Sequence, residues 1–175
     1  MTTIRHATRA DAAAIAHIYN EGIADRVATF ETEPRTLEQI EAQLAERGDW
    51  YPTIISACEG QVVAWAAASP YSSRPCYAGV AEFSVYVART VRGMGIGRAV
   101  LERLLDECAQ RGFWKLVARV FPENTASRAL CRSLGFREVG VYRRHARLDG
   151  AWRDCVIVEK RLGEACPKDG DGPGP

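Results

Sequence analysis

The residues best suited to chemistry lie mid-chain, in Arg92-Gly93-Met94-Gly95-Ile96-Gly97-Arg98. Before them, Phe83, Val85 and Val87 alternate with Glu82, Ser84 and Tyr86, the period-2 pattern of a strand. After them, Ile96, Val100, Leu101, Leu104, Leu105 and Cys108 fall on one stripe of a helix. A glycine-rich turn feeding a helix presents unpaired backbone N–H groups at the positive end of the helix dipole, which suits a phosphate. Arg92 and Arg98 flank the turn and add charge. It reads as an anion cradle; the alternative is a left-handed glycine turn that holds no ligand.

Two familiar phosphate loops do not fit. A Walker A loop ends in Gly-Lys-Ser/Thr, and no such tripeptide is present. A dinucleotide fingerprint needs G-x-G-x-x-G, but Gly93 and Gly95 lead to Arg98, and Gly95 and Gly97 lead to Val100. A third pattern, Arg/Gln-x-x-Gly-x-Gly/Ala, is filled by Arg92, Gly95 and Gly97.

The elements around this turn can be read in order. Thr2 to Ala7 reads as a strand, and Asp11 as the cap of a helix reaching Ala24. Thr36 and Gln39 form a T-x-x-Q box opening a second helix that Gly48 ends. Thr53 to Cys58 and Gln61 to Ala68 form a hairpin about Glu59-Gly60, and Ser69 to Ala78 is a loop. Beyond the central helix come a strand, Lys115 to Phe121, and a helix capped by Asn124 that stops at Gly135. A closing hairpin, Phe136 to Leu162, turns at Asp149-Gly150. The predicted order is β-α-α-β-β-β-α-β-α-β-β. Residues 1–162 are expected to be a single domain, and the Gly-, Pro- and Asp-rich residues 163–175 a disordered tail.

Composition narrows the function classes. A chain of 175 residues with 47% hydrophobic and 26% charged residues suits one soluble globular unit. A net charge of +1 offers no field for nucleic acid or an anionic membrane. No apolar run approaches a membrane span, and the N-terminus lacks a signal peptide's apolar core, so the chain reads as cytoplasmic. The six cysteines form no C-x-x-C pair, and His6, His17 and His145 lack ligand spacing. Free thiols, several of them buried, and no metal are expected.

The Arg92–Gly97 pattern is the pyrophosphate signature of the GNAT acetyltransferases, which the chain resembles from Ile4 to Leu162. Asn124 to Phe136, N-x-x-S-x-x-L-x-x-x-x-G-F, is similar to a second family pattern. Ala28 to Pro34, Arg74-Pro75-Cys76-Tyr77 and Asp149 to Asp154 resemble the phosphinothricin acetyltransferase-like branch. The resemblance implies an α/β (α+β) GNAT fold, a mixed, mostly antiparallel splayed sheet flanked by helices. It also implies acetyl-CoA as cosubstrate, a small-molecule amine as acceptor and a homodimer.

Site residues follow from the same resemblance. Glu82 matches the base that deprotonates the amine. The backbone of Val85, Tyr86 and Val87 would bind the thioester and pantetheine, and Arg92 to Arg98 (Met94 and Ile96 included) the pyrophosphate. Asn124 and Ser127 match cofactor-arm contacts, with helix capping the alternative. Cys131 stands where relatives carry a tyrosine or histidine proton donor, and could be a weak acid or a small buried residue. Phe30, Arg74 and Tyr77 are the substrate candidates, with Arg74 able to pair with a carboxylate or phosphinate. Some relatives have a second basic residue where this chain has Ser72. The expected activity is α-amino acetylation of an analogue such as phosphinothricin or methionine sulfoximine. Acetylation of another amine and a non-catalytic coenzyme A-binding module are the alternatives.

Overall fold

The computed structural model describes residues 2–166. Its strands are β1 (Thr2–His6), β2 (Thr53–Cys58), β3 (Gln61–Pro70), β4 (Val80–Val87), β5 (Lys115–Val120), β6 (Arg137–Leu148) and β7 (Ala151–Arg161). The helices are α1 (Ala12–Asp25), α2 (Leu37–Arg47), α3 (Ile96–Gln110) and α4 (Thr125–Ser133). This is the predicted order. The strands form one seven-stranded sheet, ordered β1-β2-β3-β4-β5-β7-β6, in which only β4 and β5 run parallel among the described residues.

Alternation along the strands supplies two cores. Ala64, Ala66 and Ala68 of β3 and Ala81 and Phe83 of β4 face α3, which buries Val100, Leu101, Leu104, Leu105 and Cys108 against them. The alanines let the helix lie close to the sheet. Trp65 and Ala67 face the other way, onto Ile15 and Ile18 of α1 and Ile40 of α2. Tyr86 joins that face, stacked on Trp65 at 4.9 Å between ring centroids and 25° between planes.

The turn chemistry follows the sequence in most places. Thr36 accepts the N–H of Gln39 and Gln39 accepts that of Thr36, closing the predicted capping box. Both hairpin turns, Glu59-Gly60 and Asp149-Gly150, have positive φ at both residues. Two expectations need correction. Asp11 stands before α1, but its carboxylate does not cap that helix; it turns back to accept bonds from Arg5 and from the N–H and hydroxyl of Thr8. Ser69 and Pro70 are strand rather than loop, since β3 pairs on to Ala81 with its one proline as the last residue, where a missing N–H costs least. Gly163–Ala165 form a 3-10 turn, while the rest of the expected tail, from residue 167, lies outside the described residues. All six cysteines are free, and Cys108, Cys131 and Cys155 are buried.

One feature of the sheet positions everything that follows. β4 pairs with β3 from Ala81 to Val87, but with β5 only at Val80, Ala81 and Glu82. Gly79 pins the start of this short ladder: its carbonyl accepts the N–H groups of Trp114 and Lys115, and the Trp114 ring lies where a Cβ would stand, 1.9 Å away. Past Glu82 the two strands diverge, leaving the β5-facing edge of β4 without a strand partner.

Candidate active site

The divergence opens a cavity of about 390 Å³ lined by Val85, Tyr86, Val87, the glycine turn, Asn124 and Ser127. Gly93 and Gly95 have φ of 78° and 80°, conformations an L side chain adopts only with strain. Gly95 stands at the N-cap of α3, so the free N–H groups of the first helical turn follow it. A Cβ at Gly97 would lie 3.1 Å from the Val87 side chain, so that glycine lets α3 approach β4. No side chain of the described residues stands within 4 Å of where a Cβ at Gly93 or Gly95 would be, which leaves room for a ligand against the backbone. The turn thus has the backbone donors and the open space that a phosphate group needs.

Of the residues expected at the pyrophosphate, Arg92, Gly93, Gly95, Ile96, Gly97 and Arg98 line this cavity, while the Met94 side chain does not and is 69% exposed. Asn124 both lines the cavity and caps α4 by accepting the Ser127 N–H at 3.1 Å. The cap is seen, and it leaves Asn124 at the cavity wall. Sequence reasoning did not find Asp25, at the end of α1. It lines the same cavity and holds Arg92 at 2.8 Å and Arg89 at 2.6 Å. Arg92 also donates to the Val87 carbonyl, which fixes its guanidinium beside the turn. The hydrogen bond from Arg89 leads the effects that hold the Asp25 carboxyl below its usual range, with Arg92 adding to them against the opposing cost of burial.

Glu82 opens into a second cavity, of about 310 Å³, on the α1 and α2 side of the sheet. It sits at the last paired register of β4, opposite Val117, about 10 Å along the strand from Val85. Arg119, two residues past Val117 on the same face of β5, donates one Nη to both Glu82 oxygens at 2.7 and 2.8 Å. Beside them Lys115 pairs with Glu159 at 2.9 Å, and Arg137 reaches Glu159 at 2.7 Å. Burial opposes ionisation of Glu159, but the bonds from Lys115 and Arg137 outweigh it and its pKa is lowered. Tyr71, Tyr77, Tyr142, Val117, Val139 and Ile157 complete the walls.

The predicted substrate residues divide. Tyr77 lines the cavity with Glu82. Arg74 adjoins it through Tyr77, its guanidinium 5.7 Å from the ring centroid. Phe30 lines neither cavity; it packs edge-on against Phe121 at 4.8 Å, beside Leu148 and Cys155. Of the two readings of Cys131, weak acid or small buried residue, its position agrees with the second. The α4 stripe turns it into the main core, 3% exposed, and burial pushes its thiol up to about 11. A group so placed reaches neither cavity. Cys131→Ala is therefore expected to cost about 1 kcal/mol of stability and leave kcat unchanged, as melting curves and steady-state rates would read. A fall in kcat at full folding would return the thiol to the chemistry.

Comparison with known proteins decides the family. The acetyltransferase (GNAT) family model matches residues 15–136. The chain belongs to the GNAT acetyltransferase family. It is thus an acyltransferase, and the divergence of β4 from β5 is where this GNAT chain opens its sheet. It is similar to the L-methionine sulfoximine/L-methionine sulfone acetyltransferase of Salmonella typhimurium, 33% identical, with 95% of this chain and 98% of that one covered. The phosphinothricin N-acetyltransferase of Streptomyces viridochromogenes is 33% identical, with 86% and 82% covered. Among solved structures, a GNAT superfamily phosphinothricin acetyltransferase from Sinorhizobium meliloti, in complex with AcCoA, aligns with a TM-score of 0.89 at 32% identity, covering 97% of this chain and 94% of that one. The predicted branch resemblance and fold class are borne out.

Proposed function

We propose that this enzyme transfers an acetyl group from acetyl-CoA to the α-amino group of a small amino-acid analogue, of the phosphinothricin or methionine sulfoximine kind. The observation that carries the reading is one strand serving two cavities. The unpaired edge at Val85, Tyr86 and Val87 lines the first, and Glu82 opens into the second.

The cradle residues Gly93, Gly95, Ile96 and Gly97 offer backbone N–H groups to a diphosphate, with Arg92 and Arg98 beside it. The free edge of β4 offers alternating N–H and C=O groups to an extended pantetheine arm, much as a sheet edge receives an added strand. Acetyl-CoA supplies the activated thioester. Glu82 accepts the proton of the substrate ammonium, directly or through water, and Arg119 holds its carboxylate in place. The freed amine forms its N–C bond to the acetyl carbon as the C–S bond breaks; coenzyme A leaves as the thiolate, and the proton that the new amide nitrogen sheds passes through solvent to the thiolate. No cysteine is among the residues lining either cavity, which favours direct transfer in a ternary complex over an acyl-enzyme. The same reading takes the enzyme as a cytoplasmic homodimer. Edge strand β6 supports the second part, exposing Val139, Val141 and Tyr142, with Trp152 of β7 exposed beside them.

Coenzyme A release with phosphinothricin, methionine sulfoximine, spermidine and kanamycin tests the reading. Turnover of the amino-acid analogues is the expected result. Turnover confined to the cationic amines would keep the family and sink the substrate class. Acetyl-CoA binding with no turnover of any amine would point to a binding module.

A further inference from the structure

The charges around the Glu82 cavity restrict the substrate beyond its amino group. This step rests on the reading of that cavity as the amine site. Four basic side chains bear on it, one of them Arg137, which joins Lys115 on Glu159. Arg119 is committed to Glu82 and Lys115 to Glu159. Arg74, stacked on Tyr77, has no carboxylate partner among the described residues; its backbone N–H donates to the Ser72 hydroxyl and its carbonyl accepts the Tyr77 N–H, which leaves the guanidinium without an anionic partner there. An α-amino acid zwitterion uses what is left over. Its ammonium goes to Glu82 and its carboxylate to Arg74.

Nothing then remains for a second anion. A substrate side chain passing beyond Glu82 meets Val117, Ile157, Val139 and Tyr142, and at the far end Glu159. Register sets these positions, since Glu82 lies across from Val117 and Val117 across from Glu159. The two carboxylates are therefore about 10 Å apart on one face of the sheet. Glu159 already takes both Lys115 and Arg137, and its side chain is 12% exposed. An anionic side chain would have to break that pairing or sit unpaired against it, both unfavourable. An uncharged side chain with an apolar body would bury against the valines and tyrosines at no such cost.

We infer that the enzyme selects α-amino acids whose side chains are uncharged, and that Glu159 sets this selection by occupying Lys115. Within the proposed substrate class, this favours methionine sulfoximine and sulfone over phosphinothricin. Glu159 is a specificity residue and does not touch the reacting atoms.

The test compares pairs differing in side-chain charge, glutamine with glutamate and methionine sulfone with phosphinothricin. The readout is kcat/KM for wild type and Glu159→Gln. Wild type is expected to favour the uncharged member of each pair by about tenfold or more, the worth of one charge-assisted bond. Glu159→Gln frees Lys115 and Arg137 and should narrow that ratio about tenfold, Glu159→Asp should restore it, and Glu159→Gln/Lys115→Met/Arg137→Met should lose the narrowing. Should Glu159→Gln fail to fold, Lys115→Met alone decides: it strips neutralising charge from Glu159, so the preference for the uncharged member should hold or widen and not narrow. Equal or reversed preference in wild type, an unchanged ratio in folded Glu159→Gln, or a narrowed ratio in Lys115→Met would overturn the inference and leave the proposed function standing. Turnover of cationic amines with none of any α-amino acid would overturn both.

Discussion

Glu82→Gln is expected to lower kcat by about 10²- to 10⁴-fold, the usual worth of a positioned proton acceptor. The amide keeps the size of the carboxylate and can still accept a bond from Arg119, so the loss reports on proton transfer rather than on collapse of the cavity. It corresponds to about 3 to 5 kcal/mol of barrier. The KM for acetyl-CoA should stay near the wild-type value, because Glu82 lines only the other cavity. The variant should also recover rate as pH rises, since more of the amine is then unprotonated without help. Steady-state kinetics across pH, with a melting curve for folding, would check all three. A loss under tenfold would remove Glu82 from the base role.

Gly95→Val should weaken acetyl-CoA binding by about 10²-fold or more. Valine at a φ of 80° carries strain of about 1 to 2 kcal/mol, and its side chain would project where the cradle is open. To relieve the strain, the turn would have to rotate its N–H groups off the ligand, at about 1.5 to 3 kcal/mol per charge-assisted bond. Ala99 donates its N–H to the Gly95 carbonyl, so α3 retains its first turn in either case and the protein should remain folded. Titration calorimetry with coenzyme A would measure the effect. Binding within threefold of wild type would mean that the phosphates lie elsewhere.

What the sequence made legible was whatever is local. The glycine spacing, the T-x-x-Q box, the Asn124 cap and the period of β4 each depend on neighbours a few residues apart, and each appears in the structure as read. The second set of charges was not legible, because its pairs are made by topology. Asp25 and Arg92 are 67 residues apart and Glu82 and Arg119 are 37 apart, and only the packing of α1 and the β4–β5 register joins them. Arg119 left a faint sign, a charged residue inside the apolar run Leu116-Val117-Ala118-Arg119-Val120. The side-chain directions of Cys131 and Met94 were not legible for a different reason. A family position fixes which turn of a helix or loop a residue occupies, but side-chain direction depends on the stripe. On α4 that stripe gives Ser127 and Leu130 to the cavity and Cys131 to the core. Phe30 sits in a segment with no regular period, so nothing in the sequence aims its ring.

The three-residue ladder between β4 and β5 also ties the enzyme's persistence to its surroundings. A strand edge that the chain leaves unpaired is completed only when a ligand lies along it, so the occupied protein resists unfolding more than the empty one. At a hundredfold excess over Kd such linkage adds about 2.7 kcal/mol, a sizeable share of an ordinary domain's stability. With acetyl-CoA as that ligand, starvation for acetyl groups would slow catalysis and also shorten the lifetime of the molecule in a cell that degrades what opens. The gap in the sheet would then let the supply of acetyl donor help set how much enzyme survives.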